Sequence, residues 1–364
     1  MPRVSIVLPV YNGEHYLRES LDSIVQQSFT DWELIIVNDC STDSTSEIVK
    51  EYLEKDTRIK VINNIKNEKL PKSLNIGFKN AKGKYLTWTS DDNRYRENAL
   101  QKMYDILSRD SSVGLVYACM MNIDKYGNEL GTKKMVEEEE LLFGNIIGAC
   151  FMYKREVMES IGEYNTELFG AEDYDYWLRI AEKYQVVSID DVLYDYRRHE
   201  ESLSSTKKEL IKKQVCKIKK KNIISWIEKN KENKEILCRL FFDYLQKVGK
   251  DDNVFKSIEI YFPYMRFFKH DLKENPVIIF GAGNIGREAK KLLKNQVIAF
   301  ADNDQEKIGK IKEGIPIISF QEMMEREEDI VIAISSSKIS EIIMQMEQSK
   351  EKNFYVYPYF INAK

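Results

Sequence analysis

The stretch Lys84-Tyr85-Leu86-Thr87-Trp88-Thr89-Ser90-Asp91-Asp92-Asn93 decides how the rest of the sequence is interpreted. Its first half has the aromatic and branched residues of a buried strand, and it runs directly into two adjacent carboxylates. Acidic residues at the carboxyl end of a parallel strand lie where open α/β sheets bind ligands, and such a pair can hold a divalent cation. Asp and Asn also favour turns and helix caps, so this stretch alone leaves a plain turn open.

Alternating strand and helix patterns surround this stretch and predict a parallel α/β sheet. The apolar run at residues 4–10 is typical of a buried parallel strand, residues 32–37 and 59–62 predict two further strands, and segments with helical periodicity separate them. The second of these strands leads into Asp39, and Ser44 with Glu47 predicts a capping box for the next helix. Because parallel strands end at the same edge of a sheet, we expect Asp39 and the two acids Asp91 and Asp92 to lie close together.

Length, charge and cysteine content narrow the class of protein. The 364 residues suffice for two domains and a connecting segment, and a net charge of −4 gives no reason to expect nucleic acid as a partner. The five cysteines are odd in number and far apart, with no metal or redox spacing. No apolar run approaches the ~18 residues that a membrane span needs. We therefore expect a cytoplasmic protein whose contact with the membrane, where it occurs, is peripheral and at the inner face.

Three motifs, Ser5–Asn12, Val37–Asp43 and Thr89–Asp92, resemble in order and spacing those of the family 2 glycosyltransferases with the GT-A fold. The resemblance covers residues 1–205 and implies transfer from a nucleotide-sugar, usually a UDP-sugar, with inversion at the anomeric carbon. By position it implies these roles: Pro9, Tyr11 and Glu14 line the base pocket, Asp39 contacts the base, Asp91 binds the ribose or sugar, and Asp92 holds a metal ion, Mn²⁺ or Mg²⁺.

Two positions depart from the usual pattern of that family. Thr89 stands where the family often has an Asp, and Leu74-Asn75 stands where it often has an Arg-Asn pair. Lys72 is nearby and is expected to supply the missing positive charge at the donor. These departures bear on the identity of the donor more than on the class of reaction.

The segment Gly170-Ala171-Glu172-Asp173 presents two acids at the start of a predicted helix. Acids at this position also stabilise the helix dipole without any catalytic role. An inverting transfer needs a carboxylate that takes the proton from the acceptor hydroxyl. In the resembling family the base occupies the second acid of this motif, which implies Asp173 as the base and Glu172 as a residue that orients the acceptor or the base.

An Arg-x-His segment, from Arg197 to His199, ends the region of resemblance. Similar enzymes carry such a segment, and its His reaches the metal or the diphosphate, which implies His199 as a second metal ligand. A lone His in a polar loop is equally consistent with a solvated side chain.

Residues 206–275 predict a lysine-rich helical connector, because apolar residues fall between lysine clusters at approximate helical spacing. Its apolar residues suit packing against the two domains or against a partner subunit in a homo-oligomer. Its lysines suit attachment to an anionic membrane. Packing is favoured because the lysines are not confined to one face.

Residues 276–364 predict a small Rossmann-like domain. A strand, the glycines Gly281, Gly283 and Gly286, a helix and a strand ending at Asp302 follow one another in the order of a dinucleotide-binding unit. The unit is similar to short Rossmann-like domains attached to sugar-modifying enzymes. It predicts either a nucleotide-type ligand at these four residues or a scaffold or oligomerisation role, and it does not predict hydride transfer.

The sequence therefore predicts an α/β protein with a GT-A domain (1–205), a helical connector (206–275) and a Rossmann-like domain (276–364). The expected activity is metal-dependent, inverting transfer of a hexosyl or N-acetylhexosaminyl group to a glycan or lipid-linked glycan, in surface polysaccharide assembly. One alternative is a non-catalytic nucleotide-sugar-binding sensor or assembly subunit. Another is a sugar nucleotidyltransferase, which is disfavoured because residues 9–13 lack the glycine-rich basic loop of that class.

Overall fold

The computed structural model describes residues 1–133, 136–249, 251–267, 275–333, 336–349, 352 and 354–356. These residues form two compact units, Met1–Val215 and Cys216–Lys364. None of the helices within the described ranges combines the length and apolar character that a membrane crossing requires. The boundaries near 205 and 275 stay predictions from the sequence.

The first unit is built on one large sheet with helices packed on it. Its strands are β1 (Val4–Val10), β2 (Trp32–Asn38), β3 (Ile59–Asn63), β4 (Tyr85–Trp88), β5 (Arg94–Tyr95), β6 (Val113–Ile123), β7 (Glu129–Lys133), β8 (Phe151–Lys154) and β9 (Gln185–Arg197). Its helices are α1 (Leu17–Val25), α2 (Thr45–Lys55), α3 (Leu70–Asn80), α4 (Ala99–Arg109), α5 (Arg155–Ile161), α6 (Glu172–Ala181), α7 (Leu203–Thr206) and the start of α8 (Lys208–Lys229). The strand order is β3-β2-β1-β4-β8-β6-β9-β5, and β7 pairs with β6.

The first half of this sheet is parallel, as the sequence predicts. Strands β2 and β4 flank β1 and run parallel to it, so that Ile6 faces Leu34 on one side and Thr87 on the other. Every residue of β1 and β2 is buried, which explains why both strands are mostly apolar; their polar residues Ser5, Glu33 and Asn38 are buried as well. The ends of β2 and β4 thus lie on either side of the end of β1, and Asp39 comes to the same edge as Asp91 and Asp92.

The second half of the sheet mixes strand directions. Strand β8 runs antiparallel to both β4 and β6, whereas β9 runs parallel to β6. The strand predicted at residues 113–118 continues to Ile123 and pairs with β9 along its length, with three irregularities of register. Such irregularities bend a strand pair. Because β9 and β4 end at the same edge, the chain after β9 returns to the acidic loop that follows β4.

Helix α2 begins at Thr45, close to the predicted position, but the predicted capping box does not form. The Ser44 side chain makes no capping hydrogen bond. Instead, the backbone N–H of Ser44 donates to Glu14 Oε2 at 2.9 Å, and that of Thr45 donates to Asp43 Oδ1 at 3.1 Å. Carboxylates are stronger acceptors than a hydroxyl at the positive end of a helix, and here they replace it.

Arg197, the last residue of β9, is 1% exposed and connects separate segments of the unit. Its Nε donates to the backbone carbonyl of Asp92 at 2.9 Å, and one terminal nitrogen donates to Glu19 Oε2 at 2.7 Å. Its other terminal nitrogen donates to the carbonyls of Asp124 and Lys125, in the turn between β6 and β7. One buried cation thereby fixes the loop after β4 relative to α1 and to this turn.

The second unit is a smaller α/β fold. Its helices are the rest of α8, α9 (Lys234–Lys247), α10 (Asp252–Glu259), α11 (Asn284–Leu293), α12 (Phe320–Met324) and α13 (Ser336–Ser349). Its strands are β10 (Met265–Phe267), β11 (Val277–Phe280), β12 (Val297–Ala301), β13 (Ile311–Lys312), β14 (Ile315–Ile318), β15 (Asp329–Ile332) and β16 (Phe354–Val356).

The sheet of the second unit has the order β10-β16-β15-β11-β12-β14-β13. Neighbouring strands in this order are parallel apart from the β13–β14 hairpin. Helix α9 packs against α13, so a helix of the predicted connector contacts the predicted C-terminal domain. The predicted strand ends Ile334 and Tyr357 lie outside the described residues.

Glu33 stabilises the opposite edge of the large sheet, where its strands begin. Its side chain is 3% exposed and accepts hydrogen bonds from Lys60 Nζ and the Lys82 N–H, at 2.6 Å each, and from Ser5 Oγ at 2.7 Å. Burial alone would raise the pKa of Glu33, but these hydrogen bonds outweigh burial and hold its pKa below the usual value. The ionised carboxylate is therefore the form that the fold stabilises.

We predict that Glu33→Gln lowers the free energy of unfolding by about 1–3 kcal/mol at pH 7, because charge-assisted hydrogen bonds become neutral ones. The folded pKa of Glu33 is depressed, so its stabilisation is present above the unfolded pKa of about 4.3 and is lost as pH falls through the folded pKa. Urea unfolding from pH 7 to pH 3 measures the difference in the free energy of unfolding between wild type and Glu33→Gln. Glu156→Gln, at an exposed carboxylate, is the control. If the difference in the free energy of unfolding stays constant from pH 7 to pH 3, ionised Glu33 does not stabilise the fold in this way.

We predict that Arg197→Lys lowers the free energy of unfolding by about 3–5 kcal/mol, because lysine keeps the buried charge but cannot reach all of these acceptors. Arg198→Lys is the matched control: Arg198 is the next residue, is exposed, and donates from Nε to Asn122 Oδ1 at 3.0 Å. Chemical denaturation of both variants measures the difference. Equal, small losses would show that the guanidinium network contributes little.

Candidate functional site

A cleft of about 820 Å³ opens where β1, β2 and β4 end. The predicted site residues on its wall are Pro9, Tyr11, Asp39, Asp91, Asp92, Glu172, Asp173 and His199. Glu14 and Lys72 are not among the lining residues. Glu14 binds the start of α2, and Lys72 Nζ pairs with Glu68 Oε2 at 2.7 Å. The fold thus brings both predicted acidic loops and the Glu172–Asp173 pair into one cavity.

Asp39 fixes the loop that forms one end of the cleft. Its side chain is 4% exposed, and its Oδ1 accepts from Asn64 Nδ2 and the Glu68 N–H at 2.8 Å each. Its Oδ2 accepts from the Lys69 N–H at 2.9 Å. Lys69 has a φ of +74°, an uncommon value for a residue with a side chain, and this side chain lines the cleft. The carboxylate and the loop therefore hold each other in place.

Asp91 and Asp92 follow β4 and lie against the loop after β1. A Cβ added to Gly13 would collide with Asp91 Oδ2, so this close approach requires glycine. Burial, and then the charge of Asp92, raise the pKa of Asp91 to about 7. Asp92 Oδ2 lies 3.1 Å from His199 Nε2, and this hydrogen bond raises the pKa of His199. Two acids and one imidazole thus share a small region of the cleft wall.

The Asp92 carboxylate suits a divalent cation. Asp92 Oδ1 is buried and finds no hydrogen-bond partner in the part of the chain that the structure describes. Carboxylate oxygens are the ligands that Mn²⁺ and Mg²⁺ prefer, and an unpaired one in a buried position is costly. Within the described ranges, no three His, Cys, Asp or Glu side chains converge as a complete metal cage. This suits a cation that takes its remaining ligands from phosphates and water.

Glu172 and Asp173 begin helix α6 and differ in environment. Glu172 is 2% exposed, and its Oε2 accepts from the Gly170 N–H at 2.6 Å. Burial, and then the charge of Asp173, raise the pKa of Glu172 to about 8, so it is mostly protonated at neutral pH. Asp173 Oδ1 accepts from the Tyr174 N–H, and its Oδ2 from Asn145 Nδ2, at 2.7 Å each. Asp173 therefore receives two N–H donors, as an ionised carboxylate does.

The sequence did not identify Lys69 or Asn145 as site residues. Both lie in irregular loops, where no periodicity or spacing marks them. The sequence identifies Arg197 only as part of the Arg-x-His segment. Its burial has no local signal, because Arg198 follows it directly and only Arg197 is buried.

In the second unit, the predicted ligand residues surround one glycine loop. Gly281 has a φ of +116°, and a Cβ added to Gly286 would collide with the Gly281 carbonyl oxygen. Asp302 Oδ2 accepts from the Ala282 N–H and from Lys307 Nζ, at 3.1 Å each. This carboxylate is thus already paired inside the unit, and a ligand at the loop stays a prediction.

Comparison with protein families gives two matches along the chain. The model described as Glycosyl transferase family 2 matches residues 5–162. The model described as C2185-like, N-terminal, matches residues 273–353. The first match contains β1 to β4 and the acidic loops of the cleft.

Two curated relatives carry the word glycosyltransferase in their names. An uncharacterized glycosyltransferase of Methanocaldococcus jannaschii is 32% identical over 209 residues, which are 54% of this chain and 71% of that protein. One of Rickettsia felis is 31% identical over 213 residues, 55% of this chain. The chain covers only 35% of the length of the Rickettsia protein.

Two solved structures share the fold. S. aureus TarS in complex with UDP-GlcNAc aligns with a TM-score of 0.55 at 20% identity, over 67% of this chain and 72% of that chain. Mannosyltransferase PcManGT from Pyrobaculum calidifontis, in complex with GDP-Man and Mn²⁺, aligns with a TM-score of 0.51 at 21% identity, over 61% and 64%. The predicted fold class is confirmed, and the chain belongs to glycosyltransferase family 2.

Proposed function

We propose that this chain transfers a sugar from a nucleotide-sugar to a hydroxyl group, with inversion and with the help of a divalent cation. The observation that carries the proposal is one cleft that holds both Asp92 and Asp173. Asp92 has a buried oxygen without a partner among the described residues, and the Asp173 carboxylate accepts from two N–H donors. The two similar structures support the class, since TarS was solved in complex with UDP-GlcNAc and PcManGT in complex with GDP-Man and Mn²⁺.

The nucleotide lies, in this proposal, along the ends of β2, β1 and β4. Tyr11 is 51% exposed and presents a ring on which a base can stack, next to Pro9. Asp39 uses three of the roughly four acceptor positions of a carboxylate, which leaves one for an N–H of the base. Asp91 follows on the same wall and is placed to accept from hydroxyls of the ribose or sugar.

Asp92, together with His199, would hold Mn²⁺ or Mg²⁺. When bound, such an ion supplies positive charge that stabilises the leaving nucleoside diphosphate. Burial and the charge of Asp92 both raise the pKa of Asp91, and a cation bound nearby would favour its ionised form. Arg197 holds the backbone of Asp92 in position through its hydrogen bond to the carbonyl.

Asp173 is the proposed base. As the acceptor oxygen attacks the anomeric carbon, its proton passes to Asp173, and the bond from that carbon to the diphosphate oxygen breaks. Glu172 is mostly protonated at neutral pH, so the pair presents one negative charge instead of two.

The acceptor is proposed to lie against α7 and the first turns of α8. Lys207, Ile211 and Val215 recur every four residues and line the cleft. Ile211 packs tightly on the turn before the base, since a Cβ on Gly170 would lie 3.1 Å from its Cγ1. An apolar wall with one lysine suits a glycan or lipid-linked glycan. Surface polysaccharide assembly, and peripheral contact with a membrane, are parts of the same proposal.

Lys69 is the proposed cation of the donor site. The residue lines the cleft, and within the described ranges its ammonium forms no ion pair, whereas Lys72 is paired with Glu68. Its unusual backbone conformation is held by the hydrogen bond to Asp39, a kind of strain that is common at ligand sites. The start of α3 lies beside it and adds the positive end of a helix dipole.

We expect release of nucleoside diphosphate when the chain is incubated with one member of a panel of UDP-, GDP- and dTDP-sugars and Mn²⁺ or Mg²⁺. EDTA removes the activity, and Asp92→Asn lowers it by about 10²-fold or more. Asp191→Asn, which changes an exposed carboxylate paired with Lys102, leaves it unchanged. With a hydroxyl acceptor, Asp173→Asn keeps nucleotide binding but loses about 10²–10⁴-fold in rate.

Binding of a nucleotide without release of product under any of these conditions would contradict the transferase proposal. It would favour the non-catalytic sensor, which needs the donor end of the cleft but no base.

We predict that Lys69→Met weakens UDP or GDP binding by about 10-fold, because one charge-assisted contact to the nucleotide is lost. Lys72→Met, three residues along the chain, changes the dissociation constant by less than about twofold, since that ammonium is already paired outside the cleft. Calorimetric titration with Mn²⁺ present measures both. If Lys72→Met weakens nucleotide binding more than Lys69→Met does, Lys72 and not Lys69 is the cation of the donor site.

A further inference from the structure

We propose that Asn145 is a positioning residue for Asp173. Its side-chain amide holds the carboxylate in the orientation in which it receives the proton of the acceptor. The inference rests on the proposed function, because it assigns a partner to the proposed base. Asn145 lies before β8 in a loop that lines the cleft.

The two ends of the Asn145 amide have different partners. Its Nδ2 donates to Asp173 Oδ2 at 2.7 Å, while its Oδ1 accepts from the Gly148 N–H at 3.3 Å. The reverse orientation of the amide would place oxygen against oxygen and N–H against N–H, so the hydrogen bonds fix which end faces the acid. The donor end is thus directed at the carboxylate by its own loop.

Asp173 is held from two separate elements. The Tyr174 N–H on α6 binds Oδ1, and Asn145 on the loop before β8 binds Oδ2. With both donors present, rotation of the carboxylate about its last side-chain bond is restricted. Without Asn145, this restraint on Oδ2 is lost, and a misoriented base costs rate even when the substrate is bound.

The loop has an anchor that does not depend on Asn145. The Tyr174 hydroxyl donates to the carbonyls of Leu141 and Leu142, at 2.9 Å and 3.3 Å. Substitution of Asn145 therefore removes the contact with the base while this attachment of the loop to α6 remains. We expect such variants to fold.

A purely structural role for Asn145 predicts a different order of rates among its variants. Asn145→Asp has the same shape and still accepts from the Gly148 N–H, but it replaces the donor to Asp173 with a second negative oxygen. Asn145→Ala removes both contacts. If Asn145 positions the base, the rate falls from wild type to Ala and further to Asp. If it only holds the loop, Asp is the milder change and Ala the more severe one.

The experiment uses the full chain, the nucleotide-sugar that the donor panel identifies, the hydroxyl acceptor used for Asp173→Asn, and Mn²⁺ or Mg²⁺. We expect kcat for nucleoside diphosphate release to fall by about 10-fold in Asn145→Ala and by about 100-fold in Asn145→Asp, with the donor KM and the Kd for UDP or GDP within about twofold of wild type. Asn145→Gln, which keeps the amide donor on a longer side chain, recovers part of the loss.

Asn165→Ala is the control for loss of a loop asparagine. The Asn165 side chain accepts from the Glu167 N–H at 3.0 Å and does not line the cleft, so kcat stays at the wild-type value. Thermal unfolding of every variant shows whether a rate loss reflects unfolding.

Two results would overturn the inference and are distinguishable. An Asn145→Asp variant as fast as Asn145→Ala or faster, beside an active wild type, contradicts the positioning role alone. A wild-type chain that binds nucleotide but releases no product from any donor contradicts the proposed function, and the inference with it.

Discussion

The buried guanidinium of Arg197 is the interaction on which the geometry of the cleft depends. A charge that is 1% exposed is tolerable only when it is paired and fully hydrogen-bonded, and here its partners come from loops distant in sequence. The partners of this one cation lie in the loop after β4, on helix α1 and in the turn after β6. Its hydrogen bonds therefore hold these three segments close together. The acidic pair then has a defined position relative to the loops that face it.

The parallel half of the fold could be predicted from the sequence because its information is local. Strands buried on both faces have continuous apolar sequences, and the rule that parallel strands end at one edge then places Asp39 beside the acidic pair. Both features follow from a short window of residues. The direction and length of β9 cannot be predicted from such a window. Its pairing with β6 joins segments about 70 residues apart and is irregular in register.

The predicted site residues that do not line the cleft, and the lining residues that the sequence missed, depend on contacts between distant loops. Glu14 belongs to the loop after β1, yet its carboxylate binds the start of α2, about 30 residues away. Lys69 and Lys72 differ by three positions, and only the fold shows that one lines the cleft while the other is paired with Glu68. No pattern of residue types within either segment distinguishes these outcomes, because the partner of each side chain is chosen by tertiary packing.

The hydrogen bonds of Asp39 have a consequence for how specificity in this chain can change over evolution. The carboxylate proposed to contact the base is also the acceptor for three donors of the loop at residues 64–69. A substitution that alters base preference at Asp39 therefore also releases that loop, and with it the unusual backbone of Lys69. Such a substitution carries two effects at once, so a lineage that acquires a new nucleotide preference needs compensating changes in the loop first. The proposed base contact and the order of the loop depend on the same carboxylate. A single substitution at Asp39 therefore changes both.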